Sequence, residues 1–233
     1  MGRGAIGPAM KYLTQQGYTD RISKAQYVLE KYRPLLGGSV LDVGCWTGPL
    51  RALLPAGATY VGVDRRDDAE VVLDLDRQDL PFEDRRFDTV LCTDVLEHLE
   101  RCHAVFDELC RVSRRHVIIS LPNPLRNLIC SVFAGSGGRV KFYGLPVDPP
   151  RDRHRWFFGA QEAREFLTQR GERNGFEVEQ LDAEDIGCCY WLNGQGQDVL
   201  DEPNFQGGTT WCVLRRGDAK TDPVAQTPRP EPD

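Results

Sequence analysis

Short apolar runs alternating with helix-patterned stretches constrain this chain more than any other feature. Ser39–Val43, Thr59–Asp64, Glu70–Leu73, Thr89–Thr93, His116–Leu121, Glu177–Leu181 and Thr209–Arg215 read as strands, being short, apolar and bounded by Gly, Pro and Asp. Helical spacing fills 48–54, 95–99, 102–112 and 160–174 between them. Parallel neighbours need a crossover, so a chain that alternates in this way builds a largely parallel sheet covered on both faces. The expected fold is α/β: a doubly wound, Rossmann-like, seven-stranded, mostly parallel sheet with helices on both faces.

Residues 9–36 read mostly as helix with a break at Gly17, and Ile22, Ala25, Val28, Leu29 and Tyr32 mark its apolar face. This divides the chain into an N-terminal helical cap (1–36), a main domain (37–216) and a Pro-rich polar tail (217–233) expected to be disordered. Two stretches interrupt the rhythm. Residues 122–158 form a long insertion after the fifth strand, and 183–208 are rich in Gly, Gln and Asn. Loops of that length in a compact domain are usually functional or disordered. Within the insertion, Leu125, Leu128, Ile129, Val132 and Phe133 repeat at helical spacing, as a short lid helix over a pocket would.

Ligands of doubly wound sheets bind beyond the carboxyl ends of the strands, where strand order reverses. Those ends carry polar and flexible residues here. The first strand leads into Asp42-x-Gly44-x-x-x-Gly48, and the second ends in Asp64, an acidic residue able to accept both hydroxyls of a ribose. The third supplies Asp74, Leu75 and Asp76, within reach of a purine's exocyclic amine; the fourth delivers Thr93 and Asp94 to the rim. The glycine register is not the G-x-G-x-x-G of a dinucleotide fold, and no P-loop lysine follows. A ligand with one ribose, one adenine and an amino-acid carboxylate in place of phosphates suits such a site, and S-adenosylmethionine is that ligand.

The segments "VLDVGCWTG", "YVGVD", "DLPFEDRRFDTVLCTDVLEHL" and "NGFEVEQL" resemble the successive motifs of class I S-adenosylmethionine-dependent methyltransferases, over about residues 38–121 and again over 154–182. The resemblance implies that Asp42, Gly44 and Gly48 surround the methionine moiety and Asp64 the ribose. It places Asp74, Leu75 and Asp76 at the adenine and Thr93 with Asp94 near the sulfonium. Cys45, Trp46 and Arg65 belong to the same cofactor set. The family's usual loop has a third glycine where this chain has Trp46. A ring there either points away from the cofactor or lies along it, where attraction to a sulfonium would contribute about 0.5–2 kcal/mol.

Methyl transfer from a sulfonium needs alignment above all, and a base only when the nucleophile arrives protonated. His154 in "RDRHRWFF" is the histidine best placed for that task, and Asp94 is the second candidate for base or acceptor ligand. His98 reads as structural, and Glu97 either as a hydrogen-bonding prop of the site or as one half of a surface ion pair. The acceptor is expected to be a small molecule methylated on a hydroxyl oxygen; residues 139–173 carry eight Lys/Arg against five Asp/Glu in a chain of formal net charge −6, which fits an anionic acceptor and a solvated helix face equally well. A general nucleic-acid binder is disfavoured by the acidic balance. The competing readings are a non-catalytic S-adenosylmethionine-binding protein that regulates a partner, and a protein or RNA methyltransferase. The eight cysteines are scattered without a Cys-x-x-Cys pair, and no metal site is expected. No apolar run approaches the roughly 20 residues of a membrane span, and the N-terminus lacks a signal-peptide core, so a cytoplasmic location is expected.

Overall fold

The computed structural model describes residues 11–13, 17–184, 204 and 207–217. The Gly/Gln/Asn-rich stretch lies largely outside the described residues, and so does the C-terminal tail beyond 217. Among the described residues eight strands form one sheet: β1 (Lys11–Leu13), β2 (Ser39–Val43), β3 (Thr59–Asp64), β4 (Val71–Val72), β5 (Phe87–Thr93), β6 (Ser113–Pro122), β7 (Phe176–Glu184) and β8 (Thr209–Arg216). Their order is β1-β7-β8-β6-β5-β2-β3-β4. Only β8 runs antiparallel, to both β6 and β7.

The seven strands expected from the sequence are all present. The N-terminal segment corrects the expectation, because its residues 11–13 extend the sheet as an edge strand parallel to β7. Among the described residues four α-helices cover the sheet: α1 (Arg21–Tyr32), α2 (Cys102–Val112), α3 (Pro124–Phe133) and α4 (Ala160–Arg173). The helical stretches at 48–54 and 95–99 are short 3-10 helices, Pro49–Leu53 and Leu96–His98. Such short runs with Pro or a strand end beside them cannot propagate an α-helix.

Period-two alternation in the central strands divides the core between the two faces. Leu41, Val43, Val90, Cys92, Val117, Ile119, Cys212 and Leu214 face α2 and α4. Val40, Leu91, Ile118, Trp211 and Val213 face α1. Helix α1 starts where Asp20 accepts hydrogen bonds from the Ile22 and Ser23 amides at 2.9 and 2.8 Å. It buries Ala25, Val28, Leu29 and Tyr32, while Ile22, read as part of the same stripe, is exposed. Trp211, fully buried, meets the rings of Tyr27 and Tyr32 at 5.4 and 6.0 Å, pairs worth about 0.5–1.5 kcal/mol each beyond their buried area. This seating of α1 matters for function, because its polar edge then overhangs the carboxyl ends of β2 and β5.

Helix α3 forms where the insertion's periodicity placed it, capped by the buried Asn123, which accepts the Arg126 amide at 3.0 Å. Its Val132 and Phe133 are exposed. The chain from 134 to 159 has no regular structure and returns across the strand ends. There the Arg155 amide donates to the Glu97 carbonyl at 2.7 Å and the Trp156 indole to the Leu99 carbonyl at 2.7 Å.

Candidate active site

Strand order reverses between β2, whose next neighbour in sequence lies on one side, and β5, which lies on the other. Beyond these ends opens a cavity of about 990 Å³. That is the upper end of the range for small-molecule sites, and is room for more than one ligand. Its wall includes Asp42, Gly44, Cys45, Trp46, Asp64, Arg65, Asp74, Leu75, Asp76, Thr93, Asp94 and His154. The sequence had assigned all twelve to cofactor or catalysis. Gly48 stands behind the wall, in the left-handed conformation that starts the 3-10 turn, and that turn's Pro49 and Leu50 line the cavity instead.

The turn after β2 is built by hydrogen bonds to β3. The Gly44 and Cys45 amides donate to the Val63 carbonyl at 2.8 and 3.1 Å. Gly44 has φ +78°, and a Cβ there would stand 2.2 Å from Val95 Cγ2. Trp46 has φ +54°, so the odd residue of the loop does occupy a backbone conformation that favours glycine. Its amide donates to Asp64 Oδ2 at 2.8 Å, and its half-buried ring lies 5.0 Å from the Arg21 guanidinium of α1. The ring therefore turns toward the cap helix.

Asp42 is buried, and burial pushes its carboxyl up to about 6 against the opposing hydrogen bond from Tyr60, whose hydroxyl donates to Oδ2 at 2.9 Å. Burial also pushes the Cys45 thiol up to about 12, leaving an unreactive sulfur in the wall. Asp76 accepts the Arg101 amide at 3.1 Å, which ties the purine-side loop to the start of α2.

Asp94 behaves differently. Burial opposes its charge, but the Lys24 ammonium at 2.6 Å and the Ser120 hydroxyl at 2.6 Å outweigh that and hold its carboxyl below the usual range. Glu97 is 2% exposed, and burial together with the nearby Asp94 charge raises its carboxyl well above the usual range. The surface ion pair weighed for Glu97 is not what the fold builds. Burial, and then the neighbouring His98, lowers His154 to about 4, and its ring stacks on Phe142 with centroids 4.5 Å apart.

Residues 16–181 match the protein family described as a methyltransferase domain. The chain belongs to that family. The match takes in the glycine turn, the strand ends and most of the cavity wall described above. A stretch of 96 residues is 32% identical to the ubiquinone biosynthesis O-methyltransferase of Actinobacillus pleuropneumoniae serotype 5b (strain L20), covering 33% of this chain and 41% of that protein. The match thus spans about two fifths of the curated relative. A methyltransferase from Archaeoglobus fulgidus shares the fold at TM-score 0.55 and 20% identity, over 84% of this chain and 95% of that one. A small RNA methyltransferase, HEN1, does so at TM-score 0.55 and 18% identity, over 93% of this chain and 28% of that one. Among the described residues no helix is long and apolar enough to cross a membrane.

The donor set fits the S-adenosylmethionine expected from the sequence: carboxylates of Asp42, Asp64 and Asp94 stand at the ends of β2, β3 and just past β5, beside a glycine turn that brings backbone to the wall. Sequence reasoning missed Lys24 and Tyr60, which charge and orient Asp94 and Asp42 from elsewhere in the fold. Tyr60 lay within the "YVGVD" strand, where period two gives it the same face as Gly62 and, across the register, Asp42. Lys24 carries no comparable signal.

Proposed function

We propose that this methyltransferase moves a methyl group to a hydroxyl oxygen of a small, anionic acceptor bound beside the cofactor, beneath residues 134–159 acting as a lid. The carrying observation is a single cavity that reaches from the glycine turn to the insertion. Its far side is lined by Arg139, Lys141, Arg151, Arg153 and Arg155. In this reading Asp42, Gly44, Cys45 and Trp46 surround the methionine moiety, with Gly48 supporting their turn. Asp64 and Arg65 face the ribose, and Asp74, Leu75 and Asp76 face the adenine. Thr93 and Asp94 floor the site of transfer. The bound cofactor supplies an electrophilic methyl carbon. The chain's own residues bind, align and keep out water, an entropic contribution of several kcal/mol.

The ion pair with Lys24 makes Asp94 a fixed negative charge that positions the transfer site rather than a proton acceptor. His154 lines the acceptor side of the cavity. A general-base role would ask a proton of an imidazole that burial holds at about 4. The acceptor atom is supported by the oxygen named for the ubiquinone-pathway relative. Calorimetric titration with S-adenosylhomocysteine, on the wild type and on Asp64→Ala, tests the cofactor half; binding that the substitution removes is expected. Labelled methyl transfer to a panel of hydroxy acids, phenols and amines tests the rest. Transfer confined to amines, or to neutral acceptors, would overturn the reading.

A further inference from the structure

Three ligand-bearing side chains meet on the floor of the same cavity. Glu97, His98 and His154 each bring one oxygen or nitrogen to within 4.8 Å of the others. The first two come from the 3-10 turn after β5, and the third from the segment that crosses the strand ends.

Glu97 is the unusual member. It is 2% exposed, and its Oε2 has no hydrogen-bond partner among the described residues. A buried carboxylate oxygen without a donor is costly, and natural chains keep one where a cation or proton satisfies it. A simple Glu–His hydrogen bond does not do so, because His98 Nε2 lies 3.9 Å from Glu97 Oε1, beyond hydrogen-bond range.

Each histidine has an oxygen close to its Nδ1. Asp152 Oδ1 lies 2.8 Å from His98 Nδ1, which leaves Nε2 on the Glu97 side. The Tyr143 hydroxyl lies 3.3 Å from His154 Nδ1, while Phe142 stacks on the ring. Tyr143 thus fixes one nitrogen of the His154 ring, the usual surrounding of an imidazole that ligates through the other, while His98 Nδ1 has a carboxylate close by but no hydrogen bond.

We propose that Glu97, His98 and His154 bind one divalent first-row transition cation, and that its open positions face the cavity and take oxygen atoms of the acceptor. The second half rests on the reading of this cavity as the acceptor pocket; the first does not. Two imidazoles and a carboxylate suit zinc, iron, manganese or cobalt better than calcium or magnesium, which prefer all-oxygen surroundings. Ligands bonded to one ion at about 2.1 Å sit roughly 3–3.4 Å apart in cis or tetrahedral positions. The three groups therefore need to close by an ångström or so, within reach of side-chain rotation. Three protein ligands leave room for a chelating pair of acceptor oxygens, such as a hydroxyl beside a carboxylate. The cation would also tie the 134–159 segment to the sheet.

The test uses the full chain, stripped with a chelator and titrated with Co2+, read by visible absorption, and with Mn2+, read by electron paramagnetic resonance. One ion per chain and a discrete ligand-field band are expected. H154Q and E97Q should each weaken binding at least about tenfold, and Asp152→Asn by less. Calorimetry with S-adenosylhomocysteine on the same variants shows that they remain folded. Should E97Q fail to fold, H154Q, on an irregular segment, decides alone. Stoichiometric binding unchanged by H154Q, or no saturable binding by the wild type, would overturn the site. Acetohydroxamate, a two-oxygen chelator, should shift the Co2+ band; an unmoved band with Co2+ bound would overturn the acceptor half. A wild type that binds Co2+ but no S-adenosylhomocysteine would sink the cofactor reading and leave the cation site standing.

Discussion

The Trp46 amide donates to Asp64 Oδ2 at 2.8 Å, and this bond fastens the turn after β2 to the end of β3. It also explains how a tryptophan survives where the backbone favours glycine. A left-handed residue costs about 1–2 kcal/mol, and a hydrogen bond to a carboxylate returns about 1.5–3 kcal/mol. The Arg21 guanidinium over the ring adds a smaller favourable term.

Asp64→Asn should therefore loosen the turn as well as weaken its ligand contacts. S-adenosylhomocysteine affinity is expected to fall about 10- to 100-fold, as for loss of a charged hydrogen bond. Trp46→Gly should change that affinity by less than about threefold, with a melting temperature within about 4 °C of wild type, since strain relief and lost ring contact nearly cancel. A large gain in affinity from Trp46→Gly would mean that the ring obstructs the cofactor. Calorimetry and thermal unfolding on the two variants decide it.

The two turn glycines should differ sharply. At Gly44 an added Cβ would lie 2.2 Å from Val95 Cγ2 at φ +78°, whereas at Gly48 it would lie 3.3 Å from the Tyr60 hydroxyl at φ +66°. Gly44→Ala is expected to cost about 3 kcal/mol or more, from backbone strain plus overpacking, and Gly48→Ala about 1–2 kcal/mol, from strain alone. Denaturant midpoints at constant slope provide the comparison.

These local features were the legible part. The bounds of β2 and β3 follow from apolar runs closed by turn residues, and α2 from its 3.6-residue stripe. β1 escaped because three residues carry no period, and their pairing with β7 is a contact about 170 residues distant in sequence. That Asp42, Asp64, Thr93 and Asp94 share one cavity could be foreseen because strand ends of a doubly wound sheet converge by topology. The electrostatics could not. Asp94 meets Lys24 across elements 70 residues apart, on a helix that packs on the sheet through Val28, Leu29 and Tyr32, and the segment that crosses Glu97 arrives from Arg155, 58 residues later.

The Lys24–Asp94 pair should show measurable coupling. Lys24 is 14% exposed and Asp94 37%, open toward the cavity, so the pair lies between the exposed and buried limits. Lys24→Met is expected to cost about 1–3 kcal/mol. A double-mutant cycle with Asp94→Asn should return a coupling of about 1–2 kcal/mol. Asp94's carboxyl is lowered in the fold, so this stability is present above the ordinary carboxylate pKa and is lost as pH falls through the folded value. Additive single-variant effects would show that the pair does not act as one.

Asp42 should give the opposite pH dependence. Burial raises its carboxyl from 3.8 to about 6, outweighing the Tyr60 hydroxyl that favours the charge. The fold holds this proton more tightly than the unfolded chain does. Stability from this group is therefore greatest below pH 4 and is lost as pH rises through about 6. The loss amounts to about 3 kcal/mol, from a displacement of about two pH units at 1.36 kcal/mol each. Asp42→Asn keeps an acceptor for Tyr60 without the charge. Its stability relative to wild type should climb by about 3 kcal/mol between pH 4 and pH 7, read from urea midpoints at each pH. The same variant should bind S-adenosylhomocysteine more weakly at pH 7, because a carboxylate that faces the amino-acid end of the ligand is lost. A parallel pH dependence of the two proteins would mean that Asp42 ionises freely, its burial offset by solvent in the cavity.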